Sequence, residues 1–83
     1  MVQLTTKNSD LEINLQGAYV TSLNYARKEV LFSAQKLGEK LRGGVPVCAP
    51  VFGPGESVGL AQHGFARDIE WRIFSRNENE VKL

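Results

Sequence analysis

Three short segments carry the residues whose types and spacing can do chemistry. The first is Arg42-Gly43-Gly44-Val45-Pro46. Adjacent glycines let backbone amides come close to a ligand or take positive φ. An arginine beside them presents a planar fork of donors to an anion. The competing reading is an arginine in a surface ion pair next to a tight turn. The second is Gln62-His63-Gly64-Phe65-Ala66-Arg67, which holds the single histidine of the chain. An imidazole can donate or accept near neutral pH, so His63 suits a sugar hydroxyl or a proton transfer. A partly buried structural histidine is the plainer alternative. The third, Gly53-Pro54-Gly55-Glu56-Ser57-Val58-Gly59, imitates a phosphate loop. It lacks the Gly-Lys-Ser/Thr ending and no helical pattern follows, so it is read as a mobile loop.

Other chemistries have little support. One histidine without a thiol cluster does not make a zinc site, and no metal is expected. Cys48, the single cysteine, stands among apolar neighbours in Val-Pro-Val-Cys-Ala-Pro and reads as a small buried hydrophobe. A disulfide framework within the chain is impossible, which makes the cytoplasm the expected compartment. The formal net charge of +1 lacks the basic excess of a nucleic-acid binder. No run approaches the roughly 20 apolar residues of a membrane-spanning helix. The first residues do not form a signal peptide.

These segments must be positioned by β-structure. Leu11, Ile13 and Leu15 alternate with Glu12, Asn14 and Gln16, the period of a half-buried strand. The turn cluster Asn8-Ser9-Asp10 precedes them, so Val2–Thr6 and Leu11–Leu15 are expected to pair as a hairpin. Ala18–Tyr25, rich in β-branched and aromatic residues, reads as a further strand. Residues 27–41 admit two readings. Val30, Leu31, Ala34, Leu37 and Leu41 share a helical face, and a short strand at Glu29–Phe32 with an irregular connection competes with it. Six of the eight glycines and all three prolines lie in Gly43–Gly64, which excludes a regular helix; ordered loops of such length are usually functional. Ile69, Trp71 and Ile73 alternate again, Asn77-Glu78-Asn79 reads as a turn, and Glu80–Leu83 begins another alternation. That last strand is expected to continue into a larger fold.

Taken in order, Arg-Gly-Gly-Val-Pro-Val-Cys, Phe-Gly-Pro, Gln-His-Gly-Phe-Ala-Arg and Glu70-Trp71 resemble the paired signature of the hexose-6-phosphate mutarotases. These form the glucose-6-phosphate 1-epimerase branch of the aldose 1-epimerase superfamily. Leu15–Val20 and Glu29–Phe32 are similar to the opening strands of that family, so the resemblance covers roughly residues 11–75. It tips residues 27–41 toward the strand. It also implies an all-β chain, the N-terminal portion of a galactose mutarotase-like β-supersandwich. The antiparallel strands would be interrupted by the long Gly/Pro-rich loop, with residues 1–83 as one fragment of a single domain.

The implied reaction interconverts the α and β anomers of a hexose 6-phosphate without a cofactor. By the same resemblance Arg42 and Arg67 hold the phosphate or nearby oxygens, and Gln62 and His63 bond sugar hydroxyls. Phe65 and Trp71 support the pocket from the core. The family's catalytic histidine and glutamate lie downstream of these residues, so no catalytic residue is assigned here. The family often has tryptophans where this chain has Ala49 and Val51, a change that bears on the pocket wall. An epimerase for unphosphorylated sugars, a non-catalytic carbohydrate-binding β-module and an unrelated protein-binding β-domain remain as alternatives. As partners, a hexose or hexose phosphate is expected, with neither nucleic acid nor membrane. Strands cut from a larger sandwich leave open edges, so the isolated chain is expected to self-associate or to need the rest of its fold.

Overall fold

The computed structural model describes residues 1–32, 35–38 and 40–83. Its main element is a four-stranded antiparallel meander in the order β1 (Val2–Thr5), β2 (Ser9–Asn14), β3 (Tyr19–Tyr25) and β4 (Lys28–Glu29). Val2 lies opposite Ile13 and Leu4 opposite Leu11. The β1–β2 turn closes through Thr6, whose amide donates to the Ser9 carbonyl at 2.8 Å. The expected hairpin is therefore present, with its second strand beginning two residues early. The turn itself is Thr6–Asn8, because the Thr6 side chain also accepts from the Ser9 amide at 3.2 Å.

Between β2 and β3 the register shifts after Glu12: Glu12 faces Ser22, yet Ile13 faces Val20. Thr21 is the extra residue of a bulge, and its hydroxyl donates to the Glu12 carboxylate at 2.8 Å. Bulges bend a strand and increase its twist. This one lies next to Tyr19 and Val20, where the chain meets the Gly/Pro-rich segment.

The strand reading of residues 27–41 prevails over the helix, but in a different form. β4 occupies only Lys28–Glu29, and Val30–Phe32 are outside any strand. Glu29 explains the early stop, since its carboxylate accepts the amides of Leu23 and Val30 at 2.9 and 3.1 Å. A second hairpin follows, β5 (Gln35–Leu37) with β6 (Lys40–Arg42). The alternation had not suggested it. Ala34, part of the competing helical face, lies outside the described residues.

Ile69–Ile73 is not a strand. Glu70 makes one bridge to Gln16, and residues 71–74 have no ladder partner. The next hairpin is β7 (Ser75–Arg76) with β8 (Val81–Lys82). Its turn is the expected one, with the Asn77 side chain accepting from the Asn79 amide at 3.0 Å. Buried apolar side chains among the described residues are Val2, Ile13, Tyr19 and Ala66. Phe32, Phe52 and Phe74 are 77%, 82% and 84% exposed. Among the described residues the large hydrophobic side chains that are exposed thus outnumber those that are buried.

Candidate functional site

Residues 43–68 form no strand; two single 3-10 turns, Glu56–Val58 and Ala66–Asp68, interrupt them. What holds the segment is a series of point contacts. Val45 exchanges two backbone bonds with Val20, at 3.0 and 2.8 Å. The buried Tyr19 donates its hydroxyl to the Gly43 carbonyl. The carbonyl of Ala49 accepts from Phe65 and Ala66 at 2.9 and 3.0 Å, which brings the two motif segments side by side. At Gly64 φ is +75°, and an added Cβ would stand 2.1 Å from the Ala49 oxygen. No larger residue fits there.

A fourth set of contacts clamps the turn that carries Arg67. Gly17 donates to Ile69 at 2.7 Å and Trp71 to Leu15 at 2.8 Å. The Gln16 side chain donates to the Asp68 carbonyl at 2.9 Å. Gly17, at φ +82°, passes so close that an added Cβ would lie 2.4 Å from the Arg67 oxygen. The Trp71 indole N–H donates to the Ala66 carbonyl at 2.8 Å, so Trp71 supports this turn, though from a half-buried position and not from the core. Phe65 does not act from the core, for it is 50% exposed. Its backbone is spent on Ala49 while its ring projects outward.

The result is a pocket of ≈ 710 Å³, and Arg42, Gln62, His63 and Arg67 all line it. His63 sits at φ +64°, a region few non-glycine residues occupy and which recurs at functional sites. Its placement is over-determined. The His63 amide donates to the Gly53 carbonyl at 2.7 Å, and Nδ1 accepts the Gly53 amide at 2.8 Å. The Phe52 ring lies 4.9 Å away, centroid to centroid. Because Nδ1 is an acceptor here, the neutral ring carries its hydrogen on Nε2, which is left to donate. Gly53 thus belongs to a built loop, held further by the Leu60 amide donating to the Gly55 carbonyl at 2.9 Å.

Arg67 spends one guanidinium N–H on the Gln62 carbonyl at 3.0 Å. That bond orients the fork and leaves its remaining donors available. Cys48 is half-buried and lines the pocket, so it is a wall residue and not a core one. The sequence reading also passed over Asn14, Gln16, Tyr19 and Asp68, which line the same pocket. Asn14 ends β2, Tyr19 begins β3 and Gln16 lies in the connection between them, where side chains read as pleat-fillers or turn residues until the partner segment is known. Among the described residues no three His, Cys, Asp or Glu side chains gather as a metal site. No helix among them is long and apolar enough to cross a membrane.

No family model matches the chain. Individual proteins do. It is 44% identical over 71 residues to a "Putative glucose-6-phosphate 1-epimerase" of Salmonella typhimurium, which covers 80% of this chain and 24% of that protein. A protein of the same name from Escherichia coli is 46% identical over 70 residues, 78% of this chain and 24% of the relative. One from Cenchrus ciliaris is 43% identical over 72 residues, 81% and 21%. The crystal structure of a "putative mutarotase (YeaD)" from Salmonella typhimurium superposes with a TM-score of 0.72 at 36% identity. By sequence and by fold, this chain is a mutarotase relative. The superposition covers 95% of this chain and 29% of the other, so the mutarotase fold extends through β1–β8. The chain spans about a quarter of the length of the curated relatives it matches.

Proposed function

We propose that this chain builds the substrate-binding wall of a mutarotase that interconverts the α and β anomers of a hexose 6-phosphate. The observation that carries the reading is the convergence of Arg42, Gln62, His63 and Arg67, 20 to 25 positions apart in sequence between the two motif segments, on one ≈ 710 Å³ pocket. Three relatives named as epimerases and one solved structure named as a mutarotase support it.

Mutarotation opens the ring when the ring oxygen gains a proton as the anomeric hydroxyl loses one; the aldehyde then turns and recloses. A positioned acid and base each contribute roughly 10²–10⁴ in rate. These 83 residues supply binding, and the acid–base pair comes from outside them. Arg42 and Arg67 hold the phosphate, since guanidinium forks match its oxygens in charge-assisted, bidentate bonds. The Nε2–H of His63 donates to a sugar oxygen, and the Gln62 amide, which can both donate and accept, serves a hydroxyl.

Arg42→Ala and Arg67→Ala in the intact enzyme test this. Hydrogen bonds to charged groups contribute about 1.5–3 kcal/mol, so each change should weaken glucose 6-phosphate binding by roughly 10–150-fold and glucose binding far less. Calorimetric titration with both sugars reads the difference. Equal losses, or none, would reject the phosphate role and favour an epimerase of unphosphorylated sugars.

A further inference from the structure

Asp68 supplies the only carboxylate among the described residues that line the pocket, where it stands with the two guanidinium groups of Arg42 and Arg67. It is the immediate neighbour of Arg67 on the Ala66–Asp68 turn. Its backbone is fixed at both ends: the Asp68 amide donates to the Phe65 carbonyl at 2.9 Å, and its carbonyl accepts the Gln16 side chain at 2.9 Å. Its side chain is exposed, and among the described residues its carboxylate has neither a hydrogen bond nor an ion pair. A carboxylate on a turn whose backbone is held, with no partner among the described residues, is available to a ligand.

The sign of that charge decides what it can take. A phosphate dianion drawn to Arg42 and Arg67 is repelled by Asp68, and two unit charges a few ångströms apart interact appreciably even in solvent. Neutral sugar hydroxyls are attracted, because an ionised carboxylate is an acceptor of charge-assisted hydrogen bonds. We infer that Asp68 is the specificity-determining residue that orients the substrate, accepting hydrogen bonds from the hydroxyls of the sugar ring and turning the phosphate toward Arg42 and Arg67. This rests on the phosphosugar reading of the pocket and adds the determinant for the uncharged end of the ligand.

The test is Asp68→Asn in the intact enzyme, titrated with inorganic phosphate, glucose and glucose 6-phosphate. Asparagine keeps the size and an acceptor oxygen but removes the charge. Glucose should bind about 5-fold more weakly, as charge assistance is lost, and glucose 6-phosphate only about 2-fold more weakly, because relieved repulsion at its phosphate offsets part of that loss. Inorganic phosphate should bind about 2–3-fold more tightly, as repulsion is relieved. Movement in opposite directions is a result that general loosening of the turn does not produce. If phosphate and the sugars shift together, or none shifts, the inference is overturned. If the unaltered enzyme binds glucose but not glucose 6-phosphate, the phosphosugar reading fails by itself. The glucose arm then decides Asp68: a 5-fold loss supports it and no loss refutes it. An enzyme that binds neither sugar refutes both.

Discussion

The meander β1–β3 and the segment 43–71 are held together by different means. In the meander each strand pairs with its sequence neighbour through short turns, and the register runs continuously except at one bulge. In the segment, contact with the rest of the chain comes at single bridges, Val20 to Val45 and Gln16 to Glu70, with a third internal bridge from Ala49 to Gly64. A ladder spreads its stability over many backbone pairs. A set of point contacts concentrates it, so that one atom in the wrong place undoes a whole arm. The pocket lies where the two regimes meet: Tyr19 comes from the meander, Arg42 from the edge of β6, and His63 and Arg67 from the point-held segment.

Gly64→Ala should break the contrast most severely. The added methyl meets the Ala49 oxygen at 2.1 Å on a backbone at φ +75°. Overpacking costs about 1–3 kcal/mol and the left-handed conformation about 1–2 more for an L-residue. We expect a loss of about 2–5 kcal/mol in urea unfolding together with lost sugar binding. The β1–β3 amides should keep their hydrogen-exchange protection relative to those of 49–66. Protection falling evenly in both regions would show that they are one cooperative unit.

Tyr19→Phe is expected to have an intermediate effect. It removes the hydroxyl that the Gly43 carbonyl accepts while keeping the buried ring, at a cost of about 1–2 kcal/mol if the carbonyl goes unsatisfied. Because Gly43 adjoins Arg42, phosphate affinity should fall along with stability. A stability loss with phosphate affinity unchanged would mean that Arg42 is placed by β6 alone.

Glu80→Ala should matter least. Its ion pair with Lys82 spans 3.7 Å between side chains that are 56% and 63% exposed. Solvent-exposed pairs contribute little, and the shift in unfolding free energy should stay under about 0.5 kcal/mol. A larger change would assign the β7–β8 hairpin more weight than its two paired positions suggest.

The amino-acid pattern alone was enough for the first hairpin, for β3 and for the Asn77 turn, because alternation and turn chemistry act between near neighbours. Arg42, Gln62, His63 and Arg67 were named together only through the family resemblance, since each segment by itself also admitted a structural reading, and the fold places all four on the lining of one pocket. The pattern did not reveal β5–β6, nor that Ile69–Ile73 would find one bridge instead of a ladder. An alternating run reports a tendency to extend, and whether it becomes a strand depends on a partner elsewhere in the chain. Asp68 stayed hidden for the same reason. A charged residue on a short turn reads as solvated surface until Gln16, Gly17 and Trp71 clamp that turn against the β2–β3 connection. Residue types and local periodicity determined the chemistry available to this protein and its antiparallel start. Only tertiary contacts over some 50 positions, as from Gln16 to Asp68, decided which of those side chains face one another across a pocket, because facing is a property of two segments and neither one encodes it alone.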